Sequence, residues 1–326
     1  MAHLVRELLP PAPPSLASAP LGRLRLVDAT ALRVPGSRGT DYRLHLTWDL
    51  QTLAISALEL TDARGAESLE RGAPQPGDLL LADRGYPQRR TLALLRQSQA
   101  HLLVRFPWRN LPLLQPDGQP FDLLEALDTL PQDAPGDFPV WIAPDPRQGT
   151  PALPARLVAL RREPEQVRQA QAQARATAQR KQSGVDPRTL RACEFFFVLT
   201  SLPPEAASAA ELLELYRFRW QVELCFKRLK SLLQLSTIPA QDPRSVEAFL
   251  WAKLLAALLL QRLRLEAPFS PWEAGLPGAA LLPVASGEPL EVAPLPALAG
   301  SLPPGPSLGG SPGALTPLGR TASPTS

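Results

Sequence analysis

Between positions 216 and 230 the sequence reads YRFRWQVELCFKRLK. At 3.6 residues per turn, Tyr216, Arg219, Glu223, Lys227 and Lys230 fall in one narrow stripe of a helix. A single carboxylate among cations has two readings. Arg219, Glu223 and Lys227 have i,i+4 spacing, which suits a solvated salt-bridge ladder. The stripe also suits a site where a carboxylate works beside guanidinium and ammonium groups that grip phosphate. Two more acids favour the second reading. Asp28 shares the parity of Leu24 and Leu26 in the alternating run RLRLV, and Asp83 ends the apolar run LLLA and opens DRGY. An acid leaving a buried strand is costly unless hydrated, paired or bound to metal. The bland alternative for Asp28 is a turn cap. Together Asp28, Asp83 and Glu223 are the grouping that phosphoryl transfer by two divalent ions needs, with Asp28 bridging and each of the others completing one ion's shell.

Hydrophobic period predicts the elements that must carry these residues. Alternation over 23–34, 42–50 and 52–60 predicts three strands in an antiparallel meander. A short helix is expected at 66–71, and the continuous run 78–82 reads as a buried central strand. A helix over 91–99, a strand over 101–106 and a strand over 194–200 follow. From Ala209 a helix carries the charged stripe, with Leu215, Phe218, Val222, Phe226, Leu229 and Leu233 as its buried face. The last helix, 245–265, is apolar nearly all round and is expected in the core. This order, with acids at those points, is the layout of an α/β, ribonuclease-H-like mixed sheet. Residues 107–194 read as a β-rich insertion that includes a polar helix or arm at 163–181. It divides the core into 23–106 and 195–265, after an irregular lead (1–22) and before a Pro/Gly/Ser-rich tail (266–326) expected to be disordered.

Composition bounds the function without naming it. Over 326 residues, 44% apolar and 20% charged content suits a chain with a real core, and the formal net charge is only +3. The basic charge is local: five Lys/Arg face one acid between 216 and 230. Two cysteines, Cys193 and Cys225, give no disulfide framework or metal-binding spacing, so a cytoplasmic setting is expected. The run 249–260 is too short to span a bilayer. His45 and His101 lie in strand patterns and are read as structural.

The pattern Y-x2-R-x3-E-x6-K, met by Tyr216, Arg219, Glu223 and Lys230, resembles the hallmark of bacterial DDE transposases of the insertion-sequence-four group. AELLELYRFRWQVELCFKRLKSLL looks like that group's third motif, LLLADRGY its second, and RLVDAT with RLHLTWDL its first; the similarity covers about residues 21–264. The resemblance implies a catalytic triad of Asp28, Asp83 and Glu223 that holds two Mg²⁺ or Mn²⁺ ions. It implies phosphate contacts from Arg219 and Lys230, with Lys227 a weaker candidate, and a contact from Tyr216 to the terminal DNA backbone. It implies double-stranded DNA (transposon ends and target) as partner, a homodimer in a synaptic complex, and a nucleoid-associated location. In related enzymes the insertion contacts unpaired DNA; here Trp108 and Trp141 read first as packing aromatics. Only 27 residues precede Asp28, where family members carry a helical DNA-recognition region, so the sequence reads as a copy truncated at the N-terminus. Two alternatives stay open: a remnant that binds DNA without catalysis, and another ribonuclease-H-like nuclease.

Overall fold

The computed structural model describes residues 22–266, apart from 236 and 240. The lead up to 21 and the tail from 267 lie outside the described residues. Nine strands form one sheet in the order β3-β2-β1-β4-β5-β9-β8-β7-β6. Strands β1 (Leu24–Leu32), β2 (Tyr42–Asp49) and β3 (Ala54–Asp62) make the antiparallel meander. β4 (Leu79–Ala82) lies parallel to β1, and β5 (His101–Arg105) parallel to β4. With β2 the reversed strand, this half is the ribonuclease-H-like arrangement. β9 (Phe195–Thr200) runs antiparallel to β5, and β8 (Leu153–Arg161), β7 (Gly136–Ile142) and β6 (Leu113–Leu114) continue the sheet beyond it.

Helices cover both faces, which is why β4 is apolar at every position. Leu80 and Ala82 enter the core packed by α1 (Arg89–Gln97), α2 (Leu123–Asp128) and α4 (Pro187–Ala192). Leu79 and Leu81 enter the opposite core, packed by α5 (Ala209–Arg217), α6 (Trp220–Leu232) and α7 (Pro243–Glu266). Helix α3 (Pro164–Arg180) buries no residue, as its polar sequence predicts.

Four expectations need correction. Strand β1 runs to Leu32, as alternation over 23–34 predicts, but its pairing with β2 carries straight through Asp28, so that acid is mid-strand and neither leaves the strand nor caps a turn. The segment at 66–71 forms only a 3-10 turn, Leu69–Gly72, capped by Ser68. The charged stripe spans two helices, because the ladder breaks at Phe218–Arg219 although Arg219 keeps helical angles (φ −50°, ψ −31°). That break turns Phe218 out of the buried face, leaving it 47% exposed, while Val222, Phe226 and Leu229 stay buried. In α7 only the i,i+4 row Val246, Leu250, Leu254 and Leu258 is buried; Leu259, Leu260, Leu263 and Leu265 are exposed. One row contacting the sheet is enough to dock that helix, so its apolar character all round does not make it a core helix. Among the described residues no helix is long and apolar enough to cross a membrane.

Candidate active site

Strand pairing brings the first two acids together. Leu24 pairs with Leu79 and Leu26 with Leu81, and carrying that register two residues further sets Asp28 level with Asp83. Both then sit at the carboxyl end of β4, on the sheet face that α5 and α6 cover. Helix α6 supplies the third acid. Arg219 Nη2 donates to Glu223 Oε1 at 2.6 Å, and Arg219 Nη1 lies 3.9 Å from Asp28 Oδ2. One guanidinium thus links a mid-strand carboxylate to a helical one. The break at Phe218 leaves Arg219 at the mouth of α6, the i,i+4 partner of Glu223.

The electrostatics follow from burial. Asp28 is pushed up to about 6, first by burial, with Asp83 and Glu67 adding repulsion; Arg219 and the Ala29 amide, 2.8 Å from Oδ1, hold it down. Burial alone would lower Arg219, but Tyr216, Glu223 and Asp83 raise it on balance, so it stays cationic. Lys230 is lowered by burial and donates to Thr30 Oγ1 at 2.6 Å. Thr30 is two residues beyond Asp28 on β1, hence on the same face.

One residue of the stripe turns inward. Tyr216 is buried, and its hydroxyl donates to the Ala82 carbonyl at 3.2 Å. Its ring fills the core while its polar tip fixes the last residue of β4, directly before Asp83. Lys227 is exposed, with Nζ 5.8 Å from the centroid of the Trp220 ring, outside the Arg219–Glu223 pair. Tyr216→Phe should cost about 1 kcal/mol of stability by urea unfolding, and an unchanged midpoint would mean that this hydrogen bond does not hold the end of β4.

No local pattern points to Glu67. Its Oε2 lies 2.5 Å from where a β-carbon on Gly85 would stand, so the glycine of DRGY makes room for it. Tyr86 of the same motif is buried, with no hydrogen-bond partner for its hydroxyl among the described residues. Burial raises that phenol, and Asp28, Glu67 and Asp83 raise it further. The histidines and cysteines are elsewhere: His45 Nε2 meets Thr61 Oγ1 at 3.0 Å, and neither cysteine is in a disulfide. Trp108 packs against the core under Arg109, and Trp141 is 36% exposed.

The site's donors are carboxylate oxygens, the type that suits Mg²⁺ or Mn²⁺. Asp28, desolvated and crowded by Asp83 and Glu67, is an anion that a dication would relieve. As arranged, no three His, Cys, Asp or Glu side chains among the described residues converge tightly enough to hold an ion. The fit is therefore one of chemistry and pairwise placement.

The family described as Transposase DDE domain matches residues 19–259. The transposase for insertion sequence element IS421 of Escherichia coli is 39% identical over 241 residues, 73% of this chain and 65% of the relative. The transposase for insertion sequence element IS231E of Bacillus thuringiensis subsp. finitimus is 22% identical over 280 residues, 76% of this chain and 57% of that one. Among solved structures, a piggyBac transposase synaptic complex with hairpin DNA aligns at a TM-score of 0.37 and 10% identity, over 78% of this chain and 56% of that one. The chain belongs to the DDE transposase family, as its resemblance to insertion-sequence-four transposases implied. It spans about two thirds (65%) of the length of the IS421 relative.

Proposed function

We propose that this protein cleaves DNA strands at transposon ends and joins the released 3′-hydroxyl to a second phosphodiester, with Asp28, Asp83 and Glu223 as its catalytic carboxylates. The observation that carries this reading is the Arg219 link between Asp28 and Glu223, beside a strand register that levels Asp28 with Asp83. The three acids would hold two Mg²⁺ or Mn²⁺ ions, Asp28 between them. Bound ions would supply Lewis-acid polarisation of the phosphodiester. Arg219, charged and tethered at two points, orients Glu223 and offers its remaining donors to a phosphate oxygen. Lys230, anchored on Thr30, sits along β1 from Asp28 and would fix the next stretch of strand for in-line attack. Tyr216 acts as a positioning residue through Ala82. Residues 107–194 act as the insertion that flanks the site, and two copies would pair two DNA ends in a synaptic dimer.

Cleavage of a duplex carrying the element's terminal inverted repeat, with Mg²⁺ or Mn²⁺, tests the reading. Metal-dependent nicking at the repeat boundary, reduced about 10²–10³-fold in Glu223→Ala, is the expected result. Nicking that ignores the repeat would favour a general nuclease. Salt-sensitive binding without any cleavage by the unaltered protein would favour a DNA-binding remnant.

A further inference from the structure

Three arginines outside the charged stripe meet beside Asp83. Arg84 follows it in sequence, Arg105 ends β5, and Arg162 follows β8. Arg105 Cζ lies 4.9 Å and Arg162 Cζ 5.8 Å from the centroid of Phe196 on β9, so one ring carries both guanidiniums. That ring lies 5.8 Å from the ring of Tyr216, whose hydroxyl holds Ala82. The sheet makes this meeting inevitable. Arg105 pairs with Val198, Leu160 pairs with Phe196, and the Arg162 amide donates to the Glu194 carbonyl at 2.9 Å. The ends of β5 and β8 therefore flank the start of β9.

Little among the described residues balances this charge; Tyr216 and Asp83 act on Arg105 only weakly against its burial and its two arginine neighbours. None of the three arginines makes an ion pair with a described residue. Glu194, the nearest in sequence to Phe196, pairs with Arg191 at 2.5 Å. Cys193 lies beside the group, but burial pushes its thiol up and keeps it neutral. Arg105 Nε is buried without a hydrogen-bond partner among the described residues. Burial pushes the Arg105 guanidinium down to about 10, and Arg162 and Arg84 repel it further; Asp83 only partly offsets them. A desolvated guanidinium normally has a fixed anion, and its planar fork matches phosphate oxygens.

We propose that Arg105 and Arg162 on their shared Phe196 platform, together with Arg84 next to Asp83, form a phosphate subsite, separate from the Arg219–Lys230 row, that takes a phosphodiester of the DNA strand. The DNA source of that phosphate rests on the function proposed above; the affinity for a phosphate group does not.

Binding of a short duplex, followed by fluorescence anisotropy in EDTA across a salt series, tests this without relying on cleavage. Arg84→Ala and Arg162→Ala should each lower the slope of log K against log salt by about 1, and weaken binding roughly eightfold at 0.1 M salt. Arg162→Lys should restore the slope, which a loss of fold would not allow. Unchanged slopes in both alanine variants would overturn the proposal. So would an inorganic phosphate effect on thermal stability that both variants lose while their DNA slopes stay at the unaltered value, because the subsite would then serve free phosphate. Altered slopes in a protein that never cleaves DNA would uphold the subsite and count against the catalytic reading alone.

Discussion

Asp28→Asn should make the protein more stable at neutral pH while lowering strand cleavage about 10²–10³-fold. The two effects have one cause. Asp28 titrates near 6 in the folded chain against a usual 3.8, because burial and the neighbouring Asp83 and Glu67 disfavour its charge. A raised carboxyl binds more protons folded than unfolded, so stability is lost as pH rises from about 4 through 6. Above pH 7 the whole penalty is present, about 3 kcal/mol. Asparagine keeps an acceptor for the Ala29 amide and carries no charge, so it removes that penalty. Urea unfolding in EDTA should therefore separate the variant from the parent at pH 8, and the gap should close near pH 4. A variant no more stable than the parent at pH 8 would mean that Asp28 is not held as a strained anion. The catalytic loss follows because the same destabilised charge is what a metal ion would use.

The sequence exposed the parts of this site that depend on local period, and hid those that depend on strand register and chain breaks. Alternation showed that Asp28 shares a face with Leu26, and the unbroken LLLA showed that β4 is covered on both sides. Helical spacing placed Arg219 four residues before Glu223, and the structure keeps that pair at 2.6 Å. Periodicity cannot report where a helical ladder breaks, so Phe218 was assigned to a face it leaves. A phenol reads equally well as core or as polar stripe, so the inward turn of Tyr216 toward Ala82 needed the structure. Which strands lie side by side is a long-range choice with no trace in local pattern. Hence the levelling of Asp28 with Asp83, the approach of Glu67 to Gly85 and the meeting of Arg105 with Arg162 became visible only in the folded sheet.

Asp78→Ala should cost about 3–5 kcal/mol. Asp78 is 1% exposed and accepts from Arg23 Nε at 2.9 Å, Arg23 Nη2 at 3.1 Å, Arg25 Nη1 at 2.8 Å and the Gln75 amide at 2.9 Å. Among the described residues Arg25, itself 3% exposed, makes no second ion pair; it also donates to the Ala73 carbonyl and Ser56 Oγ. Removing Asp78 would strand that guanidinium in the core, where burial already depresses it. The exposed pair Arg168–Glu165 provides the contrast, with side chains 70% and 62% exposed. Arg168→Ala should change stability by less than about 1 kcal/mol, since water screens that pair. Urea midpoints for the two variants decide the matter: an Asp78→Ala loss as small as that of Arg168→Ala would remove the buried network from the stability of the fold. The network also bears on chemistry. It clamps the start of β1 to the start of β4 at the register Leu24–Leu79, and that same register sets Asp28 level with Asp83. Asp78→Ala should consequently lower cleavage even below its melting transition, by loosening the spacing of two carboxylates that it does not touch.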